Sequence, residues 1–270
     1  MRIRPPAVAG MFYPARPESL EREIRAHLAT SGAEAAEPAF GAIVPHAGYV
    51  YSGPVAGAVY ARLKIPRAVI ILCPNHSGRG APDDLETSDA RRTPLGDVPV
   101  SRRLADRLLA LAPSLEEDSA AHAREHSLEV QLPFLQVLRP DMEIVPISLG
   151  AHDLDVCREI GEALATLLKE PEEPPLLLAS SDMNHYESRA VGRRKDDHAL
   201  SRIEALDPEG LYSVVTAESV SMCGFLPATA LLFAAREAGV SKARVVARRD
   251  SGDETGDTSS VVGYAGVILT

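Results

Sequence analysis

Hydrophobic positions along the chain fall into two patterns. Near-continuous apolar runs begin near Ala42, Val69 and Leu176 and cover Glu143–Leu149, and each reads as a strand buried on both faces of a sheet. Further strand-like runs cover 243–247 and 261–269. Between the runs, apolar residues recur at helical spacing over 18–28, 53–63, 102–111, 128–138, 156–168, 199–206 and 226–238. This alternation predicts an α/β fold, a single domain over 1–270 with a mostly parallel central sheet covered by helices on both faces.

Length and composition agree with that reading. The 270 residues with 45% hydrophobic content suffice for one large core, and no linker divides them. There is no internal repeat, no low-complexity tract and no apolar stretch near the ~20 residues of a membrane span. The longest polar stretch, 248–260, reads as a solvated loop between two strands, or as a flap closing over a site.

Charge narrows the partners. A net charge of −10 argues against a nucleic-acid binder, which needs clustered lysine and arginine. The short runs Arg91-Arg92, Arg102-Arg103 and Arg193-Arg194-Lys195 are offset by nearby acids and read as solvated faces. Three cysteines without a signal peptide predict a reducing, cytoplasmic setting rather than a disulfide framework. Cys73 reads as core filler and Cys157 as incidental on a mixed helix.

Candidate chemistry sits where the apolar runs end. Two of them stop at Pro45-His46-Ala47-Gly48-Tyr49 and Pro74-Asn75-His76-Ser77-Gly78, and a third stops at Ser180-Ser181-Asp182-Met183-Asn184-His185-Tyr186. Buried parallel strands deliver such residues to one carboxyl edge, where open α/β sheets keep their sites. His46 and His76 are therefore candidate metal ligands, neutral imidazole being the commonest nitrogen donor. Cys223 precedes the helical pattern at 226–238, where a helix start favours thiolate, as metal ligand or nucleophile.

Two further groups extend the rim. Asp182 and His185 are three residues apart, close together if 182–186 forms one turn, which suits His185 to acid–base work. Glu125 and His126 stand before a helical pattern whose stripe is Leu128, Leu132 and Leu135. They read either as orienting or substrate-contacting groups or as a plain helix cap. His27, His122, His152 and His198 read as surface residues. Tyr49, Tyr51 and Tyr186 lie beside the proposed ligands, but with no tryptophan there is no large stacking platform.

As a set, Pro45-His46-Ala47-Gly48-Tyr49, Pro74-Asn75-His76, Glu125-His126-Ser127, Ser180-Ser181-Asp182 with His185, Cys223-Gly224 and Gly256-Asp257-Thr258-Ser259-Ser260-Val261 resembles the Memo family. The opening Arg4-Pro5-Pro6-Ala7-Val8-Ala9-Gly10-Met11-Phe12-Tyr13-Pro14 is similar to that family's start, so the resemblance spans nearly the whole chain. It implies a fold like the class III extradiol dioxygenases, which hold non-heme iron(II) with two histidines and a carboxylate and use a further histidine as acid–base. By position it implies His46 and His76 as histidine ligands, Cys223 in the third ligand's place and His185 as the acid–base group.

The cysteine departs from the dioxygenase pattern. Thiolate is softer than carboxylate and extends the metal preference from iron(II) toward copper and zinc. An electron-transfer copper site with Met222 as weak ligand is disfavoured, because chain neighbours seldom converge on one ion.

Three function classes follow. The first is a metal-dependent oxidoreductase acting on a small-molecule or peptide substrate, with His185 moving protons and Asp182 or Glu125 orienting histidines. The second is a non-catalytic protein that reuses the cleft to bind a peptide or partner. Family members are associated with signalling adaptors in animals and with a radical-SAM protein partner in bacteria and archaea. The third is a zinc hydrolase with His185 as base.

Overall fold

The computed structural model describes residues 2–32, 35–86 and 88–270. The chain runs β1 (Ile3–Arg4), α1 (Pro17–Ala29), β2 (Gly41–Val44), α2 (Tyr49–Tyr60), β3 (Ala68–Pro74), β4 (Asp83–Leu85), β5 (Ala90–Thr93), β6 (Gly96–Pro99), α3 (Arg102–Leu111) and β7 (Glu116–Glu117). It continues through α4 (Leu132–Leu138), β8 (Glu143–Leu149), α5 (Leu154–Leu167), β9 (Leu176–Ser180), β10 (His185–Glu187) and α6 (Arg189–Glu204). It closes with α7 (Pro208–Ala217), α8 (Phe225–Glu237), β11 (Ala243–Asp250), α9 (Gly252–Thr255) and β12 (Val261–Leu269). Short 3₁₀ turns occupy Ala121–Ala123 and Glu129–Gln131.

The four apolar strands lie side by side in the order β2-β9-β3-β8, all parallel. Antiparallel strands extend this centre on both sides: β12 joins β2, with β10 and β11 pairing β12, and β4 joins β8, with β7 lying parallel beyond β4. The nine-stranded sheet is therefore mixed, parallel where it is buried deepest. A separate three-stranded sheet is formed by β1, β5 and β6.

Residues alternate between two cores as strand geometry requires. Ile70 and Leu72 belong to the cluster shared with α3, α5 and α8, while Val69, Ile71 and Cys73 belong to that shared with α1, α2 and α4. Almost every position is apolar because both faces are covered, the buried exceptions being Ser148 in β8 and Ser180 at the end of β9. No helix among the described residues is long and apolar enough to cross a membrane.

The structure departs from the sequence reading where polarity misleads. Arg91 and His122, expected on the surface, are fully buried. Arg91 Nη2 lies 2.5 Å from His122 Nδ1, and His122 Nε2 lies 2.8 Å from Asp84 Oδ1. Strands β4 and β5, which carry Asp84 and Arg91, and the 3₁₀ turn carrying His122 have no apolar run to announce them. Cys157 is not incidental but faces the core from α5. Met222 is buried in the same core. The stretch 248–260 is partly strand and partly the short helix α9, and the helix α7 carried no expectation.

Candidate metal centre

His46, His76 and Asp182 each occupy the second position after a central strand, β2, β3 and β9. The three strands are adjacent and parallel, so their carboxyl ends present these residues side by side. Cys223 arrives from the opposite direction, one residue before the Gly224 cap of α8. Gly224 permits this approach: a Cβ there would lie 2.2 Å from the Ser180 carbonyl oxygen at the end of β9.

The outcome is a three-donor cluster. One ligand atom from each of His46, His76 and Cys223 lies within 4.8 Å of the other two, and Cys223 Sγ is 3.2 Å from His46 Nε2. The geometry also settles which nitrogen each imidazole offers. Ser180 Oγ donates its proton to the Ser127 carbonyl at 2.7 Å and therefore accepts from His46 Nδ1 at 2.9 Å. Gln131 Nε2 donates to the same hydroxyl at 2.9 Å. At His76, Nδ1 donates to Glu125 Oε1 at 2.9 Å. Both Nε2 atoms are thereby left as acceptors, that of His46 facing the Cys223 sulfur, the arrangement expected of histidines oriented for a metal.

Glu125 is a positioning group. Its Oε1 also accepts from the Ser127 amide at 2.9 Å and hydroxyl at 2.6 Å, and its Oε2 accepts from the His76 amide at 2.9 Å. It stands in a loop ahead of the 3₁₀ turn, so neither Glu125 nor His126 caps a helix. The expected stripe of Leu128, Leu132 and Leu135 is buried as anticipated. His126 stacks on His76 with ring centroids 4.9 Å apart and meets the edge of Phe12 at 4.9 Å.

Asp182 and His185 do not share a turn. Asp182 Oδ1 accepts from the backbone amides of His46 at 2.8 Å and Ala47 at 3.3 Å, holding the loop after β2 against the end of β9. His185 begins β10, its amide donating to Ser221 Oγ at 2.7 Å and its Nδ1 to the Ser221 carbonyl at 2.8 Å. Its Nε2 is left as the basic atom. Ser180 and Ser221 orient two histidines, and only the fold reveals this, since nothing in sequence separates them from other serines.

Electrostatics follow burial. Burial, aided by the neighbouring His76 and His126, drives His46 well below the ordinary imidazole range, so it is a neutral donor. Burial likewise lowers His126. For His76 burial also opposes charge, but the Glu125 carboxylate outweighs it and the pKa rises. Glu125 is held well below the carboxylate range by His76 and Ser127 despite its burial. Asp182 is raised by burial. The expectation of a thiolate favoured by the helix start is reversed: burial and the Asp182 charge push Cys223 well above the usual thiol range. The donor set nonetheless suits a cation of borderline softness, which would itself deprotonate the thiol.

These side chains form the floor of a cleft of about 740 Å³. His46, His76, His126, Asp182, His185 and Cys223 line its polar side, and Met11, Phe12, Val50, Tyr51 and Tyr186 its apolar rim. Tyr49, expected at the rim, is buried with its hydroxyl on the Val130 carbonyl.

Comparisons with known proteins cover the same span. Residues 4–268 match the family described as Memo-like protein. A MEMO1 family protein of Pyrobaculum arsenaticum is 41% identical over 279 residues, covering 100% of this chain and 99% of its own length. Those of Methanosarcina acetivorans and Aquifex aeolicus are each 41% identical over 271 and 270 residues, covering 100% of both chains.

Proposed function

The chain belongs to the Memo-like family, and on that premise we propose that it binds one metal ion through His46, His76 and Cys223 and acts as a metal-dependent oxidoreductase. The observation that carries this reading is the convergence of three donor atoms from three separate elements, with both histidines held through Nδ1 so that Nε2 is the acceptor turned to the cluster. Iron(II) is the favoured ion, and the thiol extends the choice to copper or zinc. When bound, a redox metal supplies Lewis acidity and electron transfer.

The chain's own residues divide the remaining work. Ser180 and Glu125 orient the ligands His46 and His76. Asp182 fixes the His46 loop through two backbone amides. His185, with Nδ1 committed to Ser221, takes or returns a proton at Nε2 on the cleft side. His126 stacks over His76 and adds a neutral polar contact for substrate.

The test is metal content by mass spectrometry on protein purified anaerobically without an affinity metal column. Near-stoichiometric iron or copper, lost in His46→Ala and Cys223→Ala, is expected. Oxygen consumption or dye reduction by the loaded wild type should vanish with it. Stoichiometric zinc without redox activity would replace this reading with hydrolysis. An empty wild-type site would leave a partner-binding scaffold.

A further inference from the structure

Among the described residues five large apolar side chains stand exposed, and four of them meet at one place. Met11, Val50, Tyr51 and Tyr186 all line the cleft, whereas the fifth, Leu138, ends α4 elsewhere. Scattered exposed apolar residues need no explanation, but their concentration around a polar floor marks a surface kept for a ligand.

Tyr186 is the most exposed of the four, at 78%, and its backbone is left-handed with φ 59°, a conformation that side chains with a Cβ rarely adopt. It sits at a register shift in the β10–β12 ladder, between the pairs His185↔Val262 and Glu187↔Val261. The bulge sends its ring outward beside that of His185, centroids 5.6 Å apart. A strained position carrying a solvent-exposed ring at the mouth of a site is better explained by use than by packing.

The charge of the lining narrows the ligand. No lysine or arginine lines the cleft among the described residues, and its one carboxylate, Asp182, takes two backbone amides on Oδ1. Away from the metal position, an anionic body would lose hydration here and meet no lysine or arginine. A volume of about 740 Å³ fits a small molecule rather than a folded partner.

We propose that this cleft takes a neutral small molecule with a flat apolar or aromatic body. The body is gripped at the rim by Tyr186 and Tyr51, and its polar end reaches down to His46, His76 and Cys223. The assignment rests on the cleft being the reaction site proposed above and adds the class of its substrate.

Calorimetric titration of 2-naphthalenemethanol and 2-naphthoate into metal-loaded and chelator-stripped protein tests it. In the stripped protein, where no metal captures the carboxylate, the neutral alcohol should bind one per chain and about tenfold tighter than the anion. Tyr186→Gly suits the left-handed backbone, so the fold should hold while the alcohol's affinity drops about fivefold and metal stoichiometry stays unchanged. Equal or tighter binding of 2-naphthoate to stripped protein would overturn the proposal. So would an unchanged affinity in Tyr186→Gly, or displacement of the alcohol by lower concentrations of a capped alanine–leucine pentapeptide. A wild type that holds no metal would sink the oxidoreductase reading, while the stripped-protein comparison still decides this one.

Discussion

At His46 the proton on Nδ1 is held by a serine whose own proton is committed to a backbone carbonyl, and at His76 the same task falls to a buried glutamate. Among the described residues each is the only hydrogen-bond partner of that Nδ1, so removing either frees an imidazole to rotate or change tautomer. Ser180→Ala is expected to weaken metal binding about tenfold and Glu125→Gln more than that, leaving the ligands themselves intact. A competition titration against a chromogenic chelator measures this, and wild-type affinity in both would refute the orienting role. Glutamine also brings a donor where Glu125 now meets only donors, so the larger loss is expected there. His46, His76 and Cys223 could be picked out in sequence as candidate donors because ligand-type residues ended apolar runs or preceded a helix. Ser180 could not be given its role, since that depends on Ser127 and Gln131, which approach from another part of the chain.

Between elements, the decisive contact is α8 against β9. Gly224 nests on the Ser180 carbonyl, and any Cβ must push the start of α8 away and carry Cys223 with it. Gly224→Ala should cost about 1–3 kcal/mol of stability, read by thermal melting, and lower metal affinity about tenfold. A variant with unchanged metal affinity would show that α8 does not set the thiol's place. A second contact joins α6 to the β9–β10 loop, where buried Asp196 accepts the Asn184 amide at 2.9 Å with Arg248 3.5 Å away. Burial pushes this carboxyl up to about 6 from its ordinary 3.8, against the lowering effect of Asn184 and Arg248. The folded protein therefore binds a proton that the unfolded chain has released, and the stability from Asp196 declines as pH rises from about 4 through about 6. Asp196→Asn keeps the acceptor and should remove that decline, on the order of 1 kcal/mol. Parallel melting-temperature curves for wild type and variant across pH 4–7 would count against it.

Across the whole molecule, the amino-terminal segment is tied to the site by buried charge. The guanidinium of Arg4 pairs with Glu129 and donates to the carbonyls of His122 at 3.1 Å and Glu125 at 2.7 Å. Glu129 also accepts from the amides of Ala7 and Val8 and the Tyr13 hydroxyl. One carboxylate thus anchors the segment that supplies Met11 and Phe12 to the cleft, and its partner braces the loop carrying Glu125 and His126. Glu129→Ala leaves a buried unpaired arginine and should cost about 3–5 kcal/mol. Hydrogen exchange should accelerate first in residues 4–13, and uniform acceleration would mean that the network only stabilises the fold globally.

The sequence by itself determined the α/β class, the four buried strands, most of the long helices and the carboxyl-edge origin of His46, His76 and Asp182. These follow from local period and from the rule that a parallel strand covered on both faces must be apolar throughout. Tertiary structure alone decided that β12, β10, β11 and β4 join antiparallel and that two polar strands and a 3₁₀ turn bury Asp84, Arg91 and His122. It also decided that Cys223 meets two histidines from more than a hundred residues away and that Asp182 serves a backbone loop rather than His185. Buried charges and orienting hydrogen bonds are satisfied by partners distant in the chain, so no local pattern encodes them.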